Sequence, residues 1–293
     1  MQYRYDISKG AERIKTLKDK LKIMPVAIAA TLAGGLTVGG GALLAAVGGP
    51  TCTVGSTGDY ATIQAAVNDA GCSTIKVAKG TYNENVNITR SLTLKGAKAG
   101  SDVKHRTFAG PNESTVSGAG ATDAPAITIN AANVTVDGFS ITNPNHGIGV
   151  TVKTAGDNAK IEDNIVDGIG SPTYTPNTVG VYLELGPDNV KIEDNRISHI
   201  QSVPSAQGIL IGDSTSSDPS LGVRVEDNKI SDVTSTRGAY GIQVNNGSST
   251  APTATGYATV KIRDNSIRNL TATGMGWVHA VGLEGDTPNV VVT

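Results

Sequence analysis

Two acidic residues, Glu184 and Asp213, are the candidates for a catalytic pair in this sequence of 293 residues. Each follows a short apolar segment of alternating character, and the two segments belong to consecutive copies of an internal repeat. If successive copies lie side by side, the carboxyl groups come within reach of the roughly 5–9 Å separation that glycoside hydrolysis uses. The alternative interpretation is that both are solvated polar groups at strand ends.

Polar and aromatic residues occupy outward positions on the same segments, and further aromatic residues are expected in flanking loops. Rings beside amides and carboxylates form the usual surface for stacking against a sugar and hydrogen-bonding it. No two of the four histidines have the spacing of metal ligands, so no metal site is predicted from them. The residues predicted to bind substrate are Tyr182, Gln243, Asn245 and Glu284 on the segments, with Trp277 and His279 in a flanking loop.

The elements that position these side chains repeat along the chain. The motif Ala159-Lys-Ile-Glu-Asp-Asn164 recurs three times, with its Asn positions 31, 33 and 37 residues apart. Each copy lies between two other short segments of alternating or apolar character, so one repeat holds three strands. A single coil cannot bury its aliphatic face, whereas stacked coils can. The sequence therefore predicts an all-β chain folded as a right-handed, single-stranded, three-sided parallel β-helix of about eight coils.

An Asp-Asn pair follows the second strand of each repeat. The chain must turn there within two residues, and Asn tolerates the left-handed backbone region and bonds locally. On stacked coils these amides are predicted to form a ladder in which each side chain bonds to the next. The ladder residues are Asn164, Asn195, Asn228 and Asn265. The alternative interpretation of the turn is a calcium site built from Asp163, Asp194, Asp227 and Asp264.

The start of the solenoid carries a predicted cap and two cysteines. Between Asp59 and Val67 the spacing of apolar residues predicts a short amphipathic helix, with Asp59 as N-cap and Gly71 as stop. Such a helix covers strand edges that would otherwise be open. Cys52 and Cys72 are predicted to form a disulfide if the protein is exported, and the alternative is two unrelated buried thiols.

Residues 1–50 differ in composition from the rest of the chain. They carry seven Lys/Arg against three Asp/Glu, and residues 23–50 contain no charged residue. A basic stretch before an apolar, small-residue run is the order of a secretory signal, and the run is long enough to remain as an N-terminal membrane anchor. We therefore expect a secreted, periplasmic or cell-surface protein whose folded domain is residues 51–293. That domain has a net charge of −6, which argues against nucleic acid as a partner.

The opening of this domain resembles that of pectin-lyase-like β-helix proteins. Tyr60-Ala-Thr-Ile-Gln-Ala-Ala-Val67, Gly80-Thr-Tyr-Asn-Glu-Asn-Val86 and Ser91-Leu-Thr-Leu-Lys-Gly96 are similar to segments of pectin methylesterases and of β-helix proteins that mature the copper site of nitrous oxide reductase. The resemblance covers roughly residues 55–293 and implies a binding groove along the first strand of each coil. The catalytic motifs that methylesterases, polygalacturonases and pectate lyases imply are not found; only Asn145-His-Gly147 is similar to one of them.

The leader, the solenoid and the polar-aromatic groove predict an exported protein that binds, and cleaves or modifies, extracellular polysaccharide or another cell-surface ligand. If it is an enzyme, a polysaccharide lyase or glycoside hydrolase is expected. Two alternatives stay open: a non-catalytic adhesin or structural surface protein, and a periplasmic metal-site maturation protein. The chain stops at Thr293, where a further ladder strand has just begun, so we expect more coils beyond it.

Overall fold

Short strands in three parallel sheets make up almost all of the structure. This computed structural model describes residues 49–119, 124–184, 186–212, 220–245, 259–284 and 289–293. Each coil contributes one strand to each sheet, and strands that are neighbours in a sheet come from successive coils. The predicted parallel β-helix of about eight coils is confirmed.

Sheet A contains the recurring Lys-Ile-Glu segments and has nine strands. In their hydrogen-bonded order these are β1 (Thr51–Val54), β2 (Thr74–Val77), β5 (Thr93–Lys95), β8 (Thr135–Asp137), β11 (Lys160–Glu162), β14 (Lys191–Glu193), β17 (Val223–Glu226), β20 (Val260–Arg263) and β23 (Val290–Val292).

Sheets B and C have seven strands each. In most coils the chain passes from a strand of sheet A to one of sheet B and then to one of sheet C. Sheet B holds β3 (Gly80–Asn83), β6 (Ser114–Ser117), β9 (Ser140–Asn143), β12 (Ile165–Gly170), β15 (Arg196–Gln201), β18 (Lys229–Ser235) and β21 (Ser266–Ala272). Sheet C holds β4 (Val86–Ile88), β7 (Ile127–Ile129), β10 (Ile148–Val152), β13 (Thr178–Leu183), β16 (Ser205–Ile211), β19 (Gly238–Asn245) and β22 (Trp277–Glu284).

The core is a set of aliphatic columns inside the solenoid. Ile161 pairs in register with Ile192, Ile192 with Val225, and Val225 with Ile262. All four side chains are buried, because alternation turns every second residue of each short strand inward and the next coil covers it. The predicted internal column is thus confirmed.

The turn between sheets A and B contains the amide ladder. Asn164 Nδ2 lies 3.2 Å from Asn195 Oδ1, and the bonds from Asn195 to Asn228 and from Asn228 to Asn265 are both 3.0 Å. The expectation that Asn takes the left-handed backbone region is wrong, because the preceding Asp does so at every copy, with φ between 52° and 58°. Reversing the chain at Asp turns the Asn side chain inward, where it bonds backbone groups that the turn leaves unpaired.

A short helix, α1 (Ile63–Asn68), packs on β1, β2 and β4 and buries Ile63, Ala66 and Val67. Its N-cap is Thr62, whose hydroxyl accepts a hydrogen bond from the Ala65 amide. The predicted N-cap, Asp59, is wrong because its carboxylate instead accepts two 2.8 Å bonds from Thr53 in β1.

Cys52 in β1 and Cys72, which follows α1, are bonded to each other. Their Cα atoms lie 5.5 Å apart, well within the normal range for a disulfide. The bridge closes a loop with a sequence separation of 20 residues, for which chain-entropy models give a stabilisation of about 3 kcal/mol. It joins the first strand to the segment that leaves the cap.

The predicted leader lies outside the described residues apart from Gly49 and Pro50. In the part of the chain that the structure describes, no helix has the length and apolar character needed to cross a bilayer. Export and anchoring therefore stay predictions.

Candidate functional site

The outer face of sheet C gathers the side chains that the sequence predicts to bind a ligand. Strand pairing places Tyr182 opposite Leu210 and Leu210 opposite Gln243, in successive coils. Asn245 pairs with Glu284, and its amide nitrogen lies 3.5 Å from the Glu284 carboxylate. The predicted residues therefore share one face, with Tyr182 two coils away from Gln243.

The strands of sheet C are longer than the sequence predicts, which moves three aromatic residues. Trp277 and His279, which the sequence predicts in a flanking loop, lie within β22, and Tyr240 lies within β19. Parallel pairing continues past an irregularity at Gly208, where the register passes from Gln207 directly to Ile209. A Cβ atom at Gly208 would lie 2.5 Å from Ile230 Cγ2 and 2.6 Å from the Gly241 carbonyl oxygen, so the strands pack closely at this glycine.

The aromatic residues form a stacked cluster across the last two coils. Tyr240 and His279 pair in register, and their ring centroids are 5.5 Å apart with an interplanar angle of 10°. The Trp277 ring follows, with its centroid 6.4 Å from that of His279. Tyr240 is only 9% exposed whereas Trp277 is 71% exposed, so the cluster runs from a buried base to an open ring.

The Tyr240 ring occupies space that a side chain at position 282 would fill. A Cβ atom at Gly282 would lie 2.8 Å from Tyr240 Cδ1, so the ring lies directly over this glycine. Burial, and after it the nearby Glu284 carboxylate, raise the pKa of the Tyr240 hydroxyl. The hydroxyl therefore stays protonated at neutral pH and can donate a hydrogen bond. It faces the Glu284 carboxylate, which Asn245 also approaches.

Buried acceptor atoms without partners lie on the same strands. Gln207 is 4% exposed and Gln243 is 6% exposed, and the side-chain oxygen of each has no hydrogen-bond partner among the described residues. The hydroxyl of Thr151 on β10 is in the same situation. An unpaired buried acceptor costs about 1–3 kcal/mol. Such atoms are uncommon in stable proteins, and because these oxygens are closed to solvent, a ligand on the outer face does not contact them.

Glu184, one of the two predicted catalytic carboxylates, forms an ion pair with Lys153 of the preceding coil. The ammonium group stabilises the ionised carboxylate. Asp213, its predicted partner, lies outside the described residues, so their separation is not defined.

A cleft of about 690 Å³ continues this face toward the first coils. Its polar lining includes Asn87, Thr128, Asn130 and Lys153. Together with the aromatic cluster, it shows that polar and stacking groups follow sheet C over most of its length.

Sequence reasoning missed Gln207, Thr151 and Lys153. The repeat itself carried the signal for Gln207, which precedes Leu210 by three residues as Tyr240 precedes Gln243. Extending the strands past the glycine would have placed Gln207 next to Tyr240, where the structure pairs them.

The aspartates of the turn form a second acidic feature, away from sheet C. Burial raises the pKa of Asp163 to about 6, with further contributions from the carboxylates of Asp137 and Asp194. Within the described ranges, no group of three or more His, Cys, Asp or Glu side chains has the arrangement of a metal site. Calcium binding at this turn stays a prediction.

Comparison with known proteins bears on the fold. Two pectin methylesterase structures align with this chain. One, in complex with a hexasaccharide, has 13% sequence identity and a TM-score of 0.43, and the alignment covers 83% of this chain and 92% of that one. The other, the enzyme from Aspergillus niger in penultimately deglycosylated form, has 16% sequence identity and a TM-score of 0.30, and the alignment covers 85% of this chain and 91% of that one. At these identities the likeness concerns the fold and not the activity. No curated protein sequence matches significantly.

A family model described as "Right handed beta helix region" matches residues 81–269. The match spans well over half of the chain and covers strands of all three sheets. The chain therefore belongs to the right-handed β-helix family.

Proposed function

We propose that this protein binds polysaccharide along the outer face of sheet C, outside the cytoplasm. The observation that carries the proposal is the stacked aromatic cluster, whose Trp277 ring is open to solvent, beside the accessible side chains of Asn245 and Glu284 on the same strands. Sugar rings offer both an apolar face for stacking and hydroxyl donors at their edges.

The energetics of the site favour a ring that covers Trp277. Covering about 100 Å² of this exposed indole contributes roughly 2.5 kcal/mol. Hydrogen bonds from sugar hydroxyls to the accessible side chains of Asn245 and Glu284 would contribute further.

The length of the face points to a chain rather than a single sugar. From β10 to β22 five neighbouring strands span about 19 Å. Because the face carries amides, hydroxyls, an ion pair and one acidic side chain, we expect it to prefer a neutral chain.

Trp277 provides a direct assay because it is the only tryptophan in the sequence. Titration with cellohexaose or xylohexaose should change its fluorescence in a saturable way. Replacing Asn245 by Ala should weaken binding about tenfold, the loss of one hydrogen bond to the ligand, whereas Met275→Ala, a fully exposed neighbour on the same coil as Trp277, should not. Absence of saturable binding to either hexasaccharide, by fluorescence and by calorimetry, would overturn the proposal.

Catalysis is the second part of the proposal and is separable from binding. If Glu184 and Asp213 cleave the bound chain, the double variant E184Q/D213N should bind the hexasaccharide and release no reducing ends, while the native protein releases them. Binding without cleavage by the native protein would instead support the adhesin alternative.

A further inference from the structure

A row of cations runs along the outer face of sheet A, away from the aromatic cluster. Lys160 pairs in register with Lys191, Lys191 with Arg224, and Arg224 with Lys261. Neighbouring strands are about 4.8 Å apart, so like charges lie on successive coils at that spacing. Like charges directly opposite each other destabilise a sheet, so the row needs a compensating partner.

Neighbouring glutamates compensate only the end of the row. Lys160 forms ion pairs with Glu162 and, at 3.9 Å, with Glu193. Glu226 is bound instead by Arg263, at 3.1 Å. Among the described residues, no carboxylate lies within ion-pair distance of the three remaining cations: Lys191, Arg224 and Lys261.

These three cations line one cleft of about 610 Å³. Asn189, Thr259 and Asn289 add polar neutral groups, and the rest of the lining is Gly222, Val223, Val260 and Val291. The cleft therefore combines a line of three charges, about 10 Å long, with amide and hydroxyl groups that can hydrogen-bond a ligand.

We infer that this cleft is an anion-binding site that takes an acidic polysaccharide with regularly repeated carboxylates. Arg224, in the middle of the row, can bind one carboxylate through two parallel hydrogen bonds, and each lysine supplies a point charge on the adjacent coil.

The test compares two triple variants that remove the same net charge. In the cleft variant Lys191, Arg224 and Lys261 become Gln, and in the control variant Lys79, Lys104 and Arg268, which are exposed on other surfaces, become Gln. Binding of an oligogalacturonate of defined length is measured by calorimetry at two salt concentrations.

We expect the native protein to bind, more weakly at higher salt, the cleft variant to lose at least about tenfold in affinity, and the control variant to stay within about twofold. Thermal unfolding separates lost binding from lost folding, because relieving like-charge repulsion should leave the cleft variant at least as stable as the native protein. No binding by the native protein, or equal losses in both variants, would overturn the inference.

The inference does not depend on the proposed function of sheet C. The variant Trp277→Ala distinguishes binding at the sheet A cleft from binding at sheet C. If Trp277→Ala abolishes oligogalacturonate binding and the cleft variant retains it, the sheet A site is refuted. If the neutral hexasaccharides fail to bind while cleft-dependent oligogalacturonate binding persists, the sheet C proposal alone is refuted.

Discussion

The amide ladder predicts that the loss of one Asn costs different amounts of stability on different coils. Asn195 is fully buried, and its Nδ2 donates to the carbonyl oxygens of Ile161 and Glu193 and to Asn228 Oδ1, at 2.8–3.0 Å. Its Oδ1 accepts from the backbone and side-chain amides of Asn164. One side chain therefore satisfies five groups in the interior.

Asn195→Ala removes one hydrogen-bond partner from each of these five groups, although Asn164 Nδ2 still donates to Val136 and Glu162 and Asn228 Oδ1 still accepts from the backbone amide of residue 195. Each unsatisfied buried group costs about 1–3 kcal/mol, and water entering the vacated space would satisfy part of them. We expect the free energy of unfolding to fall by about 4 kcal/mol. Asn265 is the matched control: it donates to Val225 and Arg263 in the same way but is only half-buried, so water replaces it and Asn265→Ala should cost about 1 kcal/mol.

Urea unfolding followed by far-ultraviolet circular dichroism measures both variants against the native chain. The ordering of the two losses is the decisive result. If Asn265→Ala destabilises the protein as much as Asn195→Ala, the ladder's contribution does not come from satisfying buried groups, and the reasoning is refuted.

Two further predictions concern Asp163 and Gly282. Because the pKa of Asp163 is raised to about 6, above its unfolded value of about 3.9, its ionisation opposes folding above pH 6 and has no effect below pH 4. Asp163→Asn should therefore raise the free energy of unfolding by about 1–2 kcal/mol above pH 6, after allowance for solvent screening, and leave it unchanged below pH 4. Urea unfolding at pH 3.5 and 7.5 measures the free energy of unfolding, and Asp264→Asn, on an exposed turn, is the control. An equal rise in the free energy of unfolding in both variants, or at both pH values, would contradict the explanation. Gly282→Val should displace the Tyr240 ring and weaken hexasaccharide binding about tenfold, measured by Trp277 fluorescence; unchanged affinity would mean that the stack does not form the site.

The repeat made most of the fold predictable. Ile161, Ile192, Val225 and Ile262 recur at the same place in each copy of the motif, so their common column follows from the alignment of the repeats. The stacking of coils then follows from the need to bury that column. Local patterning and tertiary burial agree here, which is why the prediction succeeds.

The details that failed depend on contacts between distant residues. Asp59 and Thr62 are both good N-caps, and only the bonds from Thr53 remove Asp59 from competition. Either residue of an Asp-Asn pair tolerates the left-handed region. Asp adopts it because the Asn side chain then points inward, where its amide bonds backbone groups. The strand positions of Tyr240 and Trp277 were hidden because the alternation of period two breaks within these strands, at Gly241 in β19 and at Ala280 in β22.

The direction of the hydrogen bonds between coils gives the protein unequal mechanical strength. Because every sheet pairs strands of successive coils, these bonds run parallel to the solenoid axis. A pull along that axis loads all the coil boundaries in series, so the weakest boundary separates first. Each released repeat of 31–37 residues would add roughly 100–130 Å of fully extended chain. A molecule tethered at one end and attached to a partner at the other would therefore lengthen in steps under tension, absorbing a sudden pull.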